Sequence, residues 1–206
     1  NCHGGKLPEY RGAAPINWQL INGESEVGFS ILYADKGIDT GRLIRTTRFT
    51  IDFKTDANDL VYKSLSWFPK NLLHVIDQLE GSGKIISKEQ IEKDAKHYTR
   101  RYPEDGLVDW KNSTDIEIYN LTRALVKPYP GAYTYNKNNK VVLNKLEILD
   151  KTYIGVAGRI SMVNKEGVIV SCKNRSILIK DILVKNKEIK ANEYFKTGDL
   201  FKNEIY

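Results

Sequence analysis

The feature that most constrains this chain is a change of pattern at Pro128-Tyr129-Pro130-Gly131. Before it, strand-like and helix-like runs alternate. After it only short, β-rich runs remain, at residues 141–149, 158–163, 167–171 and 176–184. A chain that switches period in this way needs two kinds of layer, so two domains of different class are expected. Short strands separated by turn residues such as Asn136–Asn139 predict a small barrel or sandwich for the second. The length, 206 residues, suffices for two small domains with apolar cores that need no covalent staples.

The first part reads as α/β. Residues 27–34 alternate like a strand, and residues 43–53 read as another. The glycine-flanked loop Gly37-Ile38-Asp39-Thr40-Gly41 lies between them. Residues 13–20, with Pro15 near the start, form a short helix. Residues 55–80 form a long one, with Leu60, Leu65, Leu72, Leu73, Ile76 and Leu79 as its apolar face. Pro69 is expected to kink or divide that helix near Phe68, and Gly81-Ser82-Gly83 to end it. This order fits the latter half of a doubly wound domain. Its strands are too few for a full sheet, so an α/β segment ahead of Asn1 is expected. Residues 84–103 are polar and irregular, a surface linker. Thr114 with Glu117 is a capping box opening a helix to about Val126. The division expected is 1–98 and 99–206.

Composition removes several function classes. No run approaches the roughly 18 apolar residues of a membrane span, since the greasiest stretch, 176–184, is broken by Lys180 and Asp181. Two cysteines without a CxxC pair suggest a reduced, cytoplasmic protein. Three histidines without a cysteine cluster predict no structural metal. The net charge of +6 sits in the C-terminal part: residues 126–206 carry 15 Lys/Arg against 8 Asp/Glu. Such a bias suits an anionic partner, RNA or a nucleotide diphosphate, and equally a solvated lysine-rich surface.

Two features could carry chemistry. Asn1 and His3, two apart in an extended segment, project to one face. A carboxamide can donate to a developing oxyanion and an imidazole can move a proton near neutral pH. Gly4 and Gly5 allow the backbone to turn closely beside them. Asp39, on its loop, could hydrogen-bond an imidazole as the third member of a triad does. Spacing alone also allows a polar strand end for the first pair and an Asx-turn for Asp39.

The run from Asn1 to Pro15, Asn-Cys-His-Gly-Gly-Lys-Leu-Pro-Glu-Tyr-Arg-Gly-Ala-Ala-Pro, resembles the signature of the folate-dependent formyltransferases. Gly37 to Gly41 resembles the same family's Asp-x-Gly loop. Gly106-Leu107-Val108-Asp109-Trp110 and Lys127-Pro128-Tyr129-Pro130-Gly131-Ala132 are similar to its C-terminal markers. The resemblance implies the C-terminal part of a Rossmann-like formyltransferase domain followed by a small OB-like β-barrel. It implies N10-formyltetrahydrofolate as formyl donor, an amine as acceptor and no metal. It assigns oxyanion stabilisation to Asn1, general acid/base work to His3, and the positioning of His3 to Asp39. The backbone of Asp35-Lys36-Gly37-Ile38-Asp39, with Ala13 nearby, would line the pterin pocket. Gly4-Gly5 and Lys6 depart from the commoner residues without touching these three. The family's N-terminal half is expected before Asn1.

The acceptor is read from a second resemblance. His97-Tyr98-Thr99-Arg100-Arg101-Tyr102-Pro103-Glu104-Asp105-Gly106 is similar to the pattern in formyltransferases of nucleotide-linked amino sugars, as is Asn17-Trp18. Arg100 and Arg101 suit a diphosphate, because guanidinium groups bind phosphate oxygens in pairs; they also suit an ion pair with Glu104 and Asp105. The alternatives are a methionyl-tRNA formyltransferase, whose basic barrel would contact tRNA, and a non-catalytic binding module. A homodimer is compatible with any of them.

Overall fold

The computed structural model describes residues 1–202. The chain forms two compact units, Asn1–Arg101 and Tyr102–Tyr206. Both are mixed in secondary structure.

In the first unit the strands are β1 (Cys2–His3), β2 (Arg11–Gly12), β3 (Glu26–Leu32), β4 (Leu43–Thr50) and β5 (His97–Tyr98). The helices are α1 (Pro15–Ile21) and α2 (Ala57–Ser82). The main sheet runs β1-β3-β4, and both of its pairings are antiparallel. The parallel pairing of a doubly wound domain appears only between the two-residue strands β2 and β5. Strand β3 is buried from Val27 to Leu32. Its Phe29 ring packs against Phe49 and against Trp67 and Phe68 of α2. That contact fixes the long helix to the sheet.

Helix α2 begins at Ala57, two residues beyond the expected start, on an Asp56 cap. Asp56 accepts from the backbone N–H groups of Asn58 and Asp59, and Asp59 Oδ2 accepts from Asp56 N–H, a reciprocal cap. It ends on Gly83 at φ 68°, whose N–H donates to Leu79. Pro69 does not divide it: the helix is continuous through that residue. Proline leaves the Leu65 carbonyl without its helical donor, but Leu65 is 64% exposed, so water can replace it. The apolar face expected from the periodicity is only partly used. Leu60 and Val75 are buried, whereas Leu65, Leu72, Leu73, Ile76 and Leu79 are exposed. Among the described residues nothing covers this stripe.

The residues expected to be a linker are tied down. Leu43 and Lys88 exchange backbone hydrogen bonds of 2.8 and 2.9 Å, and Glu92–Asp94 form one 3-10 turn. Arg100 and Arg101 belong to this unit, where the Arg101 guanidinium lies 4.7 Å from the Trp18 ring centre.

The second unit holds α3 (Asp115–Ala124), β6 (Tyr133–Asn136), β7 (Asn139–Ile148), β8 (Ile160–Asn164), β9 (Gly167–Ser171), β10 (Ser176–Val184), β11 (Lys187–Lys190), α4 (Ala191–Tyr194) and β12 (Phe201–Lys202). Its seven-stranded sheet runs β12-β6-β7-β10-β9-β8, with β11 paired to β10. The two ends of that order meet: Phe201 N–H donates to Gly158 O and Ile160 N–H to Asp199 O, each at 2.9 Å. The sheet therefore curls back on itself around Trp110, Ile118, Val141, Ile160, Ile177 and Ile182. The Thr114–Glu117 capping box is present at the start of α3. Trp110 is buried with its N–H on Thr134 Oγ1, and Gly131, at φ 86°, lies where a Cβ would meet Val142 at 2.4 Å. Both motif residues thus have packing reasons of their own. No helix among the described residues is long and apolar enough to cross a membrane.

The two cysteines differ in environment. Burial above all, with Asp115 nearby, pushes the Cys172 thiol up to about 12, while Cys2 is exposed. A thiol reagent at neutral pH should therefore modify Cys2 alone in the native protein and both after denaturation. Peptide mass mapping reads this directly, and labelling of native Cys172 would contradict the packing described.

Candidate active site

Pairing of β1 with β3 sets His3 opposite Ser30 and sends its side chain into the interior, 6% exposed. The next residue pair is clamped by Gln19 on α1. Its amide donates to Gly4 O and Pro15 O, and its oxygen accepts from Lys6 and Gly28 N–H. Fully buried, Gln19 uses both ends of its amide. Gly5 is required here: a Cβ would stand 3.0 Å from His3 Nε2 and 2.8 Å from Pro15.

Asn1, His3 and Asp39 converge. The Asn1 side-chain amide donates to Asp39 Oδ1 at 2.8 Å, and His3 Nδ1 lies 3.4 Å from Asp39 Oδ2. The same Oδ2 accepts from the Gly12 N–H at 2.9 Å. His3 Nε2 meets the Tyr10 carbonyl at 2.5 Å. A carbonyl only accepts, so Nε2 carries hydrogen in this contact. Neutral His3 then keeps its lone pair on Nδ1, the nitrogen beside Asp39. A proton gained there turns the Asp39 contact into a charge-assisted hydrogen bond.

Asp39 adopts φ 54°, a left-handed conformation that aspartate tolerates better than most residues. Its loop is built by Asp35, whose Oδ1 accepts from Gly37 N–H and Thr40 Oγ1. Lys36 and Ile38 are exposed at its tip, Ile38 at 67%. Gly41 is enclosed, since a Cβ there would lie 1.8 Å from Tyr33 O. Ala13 follows Gly12 and donates its N–H to Tyr98 O at 3.1 Å, so it sits beside the loop's anchor. Arg100 and Arg101 are not among the residues gathered on Asp39. They continue from β5 toward α1, where Trp18 donates to Thr99 O.

Three contributors escape the sequence because they act through backbone or through a distant amide: the Tyr10 carbonyl, the Gly12 N–H and Gln19. Gly12 is the sharpest case. At φ 97° it lies where a Cβ would come 2.2 Å from Tyr98 O. Gly12→Ala should cost about 2–4 kcal/mol of stability through strain and displacement of β5, read by denaturant melts. It should also withdraw the N–H from Asp39.

Two family models match the chain. Residues 1–76 match the model described as "Formyl transferase" and residues 101–198 match "Formyl transferase, C-terminal domain". The chain belongs to the formyl transferase family. It is 36% identical over 179 residues to the bifunctional polymyxin resistance protein ArnA of Wigglesworthia glossinidia brevipalpis, covering 87% of this chain and 27% of that one. It is 33% identical over 198 residues to the methionyl-tRNA formyltransferase of Geobacter sulfurreducens, covering 96% of this chain and 61% of that one. The chain thus spans from about a quarter to about three fifths of these relatives. A similar fold occurs in the Helicobacter canadensis N-formyltransferase solved with folinic acid and dTDP-3-aminofucose. The TM-score is 0.68 at 23% identity, over 87% of this chain and 64% of that one. It occurs also in HypX from Aquifex aeolicus, with a TM-score of 0.69 at 18% identity over 93% of this chain and 34% of that one.

Proposed function

We propose that this formyl transferase chain carries the proton-transfer and oxyanion half of a site that moves a formyl group from N10-formyltetrahydrofolate to the amine of a nucleotide-linked amino sugar. The observation that carries the reading is the convergence of Asn1 and His3 on one carboxylate, Asp39. The donor supplies an activated one-carbon carbonyl. Asn1 has a second amide hydrogen beyond the one given to Asp39, and directs it at the oxygen that gains charge as the amine adds. His3 Nδ1 takes the ammonium proton, with Nε2 held on the Tyr10 carbonyl, and Asp39 stabilises the imidazolium; the same proton is then returned to N10 as the bond between the formyl carbon and N10 breaks and tetrahydrofolate leaves. The 35–39 backbone, the exposed Ile38 and Ala13 fit one wall of a pterin pocket: an apolar side chain on a loop of peptide groups. The curled sheet of the second unit agrees with an OB-like barrel.

The acceptor reading rests on Arg100 and Trp18 and on the similarity to ArnA. Arg101 lies over the Trp18 ring, and the Arg100–Arg101 pair offers guanidinium groups suited to a diphosphate. The similarity to methionyl-tRNA formyltransferase and the basic second unit favour a tRNA acceptor instead. The two are separated by incubating the full-length protein with the formyl donor and a panel of amino-sugar nucleotides and Met-tRNA, with product mass as the readout. Formyl transfer to an amino sugar alone supports the first reading, and transfer to Met-tRNA alone replaces it. No transfer to any acceptor supports a binding module.

A further inference from the structure

We propose that Gln90 is a positioning residue for formyl transfer, acting through Asp39 from the segment that reads as a linker. This rests on the role given to Asp39 above. The Gln90 amide donates one hydrogen to Asp39 O at 2.7 Å and the other to Gly41 O at 2.8 Å. Its oxygen accepts from Arg11 Nε at 3.1 Å. Only one orientation of the amide satisfies all three contacts, because two of the facing atoms are carbonyl oxygens and the third is a guanidinium N–H. Arg11 is itself immobilised. It is 1% exposed, and its fork bonds both oxygens of Glu92 at 3.0 and 2.9 Å. The Arg11 hydrogen bond holds the Glu92 carboxyl below its ordinary range.

Geometry makes this bracket specific to the site. Asp39 holds a left-handed backbone that a free loop would leave readily. Its carboxylate must keep three partners at once: Asn1, Gly12 and His3. Arg11 immediately precedes Gly12, so the chain that presents the Gly12 N–H to Asp39 also steers the amide that grips the Asp39 backbone. The carboxylate and its loop are therefore referenced to the same short strand, β2. Further bonds seat the segment: Lys96 N–H on Pro8 O, Arg11 N–H on Lys96 O, and Arg42 on Ser87 O at 2.9 Å. Gln90 is the member that reaches the catalytic loop.

The test uses the full-length protein. Gln90→Leu removes the three contacts; Gln90→Glu keeps the length and the Arg11 contact but offers no N–H to the two carbonyls. Either should lower kcat roughly 10- to 100-fold, the scale of a displaced reacting group, while leaving the acceptor KM near wild type. Both should move the pH–rate profile as Asp39→Asn does, and shift the imidazole nitrogen resonances of His3, which report its tautomer. In an Asp39→Asn background the further loss should be under about 3-fold, as for two changes acting on one group. If the losses multiply instead, or if kcat and the His3 resonances are unchanged in the variant that folds, the inference fails. If Asp39→Asn is itself silent, the proposed function fails and not the bracket alone.

Discussion

Alanine in place of His3 or Asn1 should slow the chemical step by roughly 10²- to 10⁴-fold, the usual consequence of removing one acid/base or one oxyanion donor. The effects should differ in kind. His3→Ala removes the proton acceptor and leaves the Asp39 carboxylate facing a void, so the shape of the pH–rate profile should change along with the rate. Asn1→Ala keeps the His3–Asp39 contact and should lower the rate at every pH by a similar factor. Asp39→Asn retains shape but cannot stabilise a charged ring, and should alter both rate and profile. Single-turnover measurements isolate the chemical step. Wild-type turnover by both alanine variants would remove the site from this triad.

Salt separates the two acceptors by an effect of comparable size. A tRNA site that neutralises six to ten phosphates loses on the order of 10³- to 10⁵-fold in affinity between 50 and 200 mM salt. A diphosphate held by one or two guanidinium groups should lose far less. The lysines of the second unit are spread over strands and turns, and two are paired with carboxylates: Lys180 with Glu147 and Lys190 with Asp181. The expected result is that UDP or dTDP competes with the acceptor, that Arg100→Ala weakens this competition, and that bulk tRNA does not compete at physiological salt. Arg101→Ala should weaken it too, but by loosening Trp18 as well as by loss of charge. Formylation of Met-tRNA, indifferent to nucleotides and steep in salt, would reverse the choice.

Local pattern carried a large share of this protein. Alternation and punctuation located β3, β4, α1, α3 and most strands of the second unit, because period and turn chemistry are properties of neighbouring residues. The Thr114 cap was legible for the same reason. Short pieces were not: β2 and β5 are two residues each and exist only because they pair across the unit. Periodicity gave α2 an apolar face without saying what covers it, and Leu65 to Leu79 stand exposed.

The site divides along the same line. Asn1, His3 and Asp39 were readable as residue types with suitable chemistry and as a resemblance, but neither spacing nor composition could bring residue 39 to residues 1 and 3. Antiparallel pairing of β1 with β3 and the turn into β4 did that. The other holders include a carbonyl at Tyr10, an N–H at Gly12 and the side-chain amides of Gln19 and Gln90. Every residue carries a backbone carbonyl and, proline apart, an N–H, so sequence cannot mark the ones that matter. Only the folded chain, by excluding water and fixing direction, turns those common groups into specific partners.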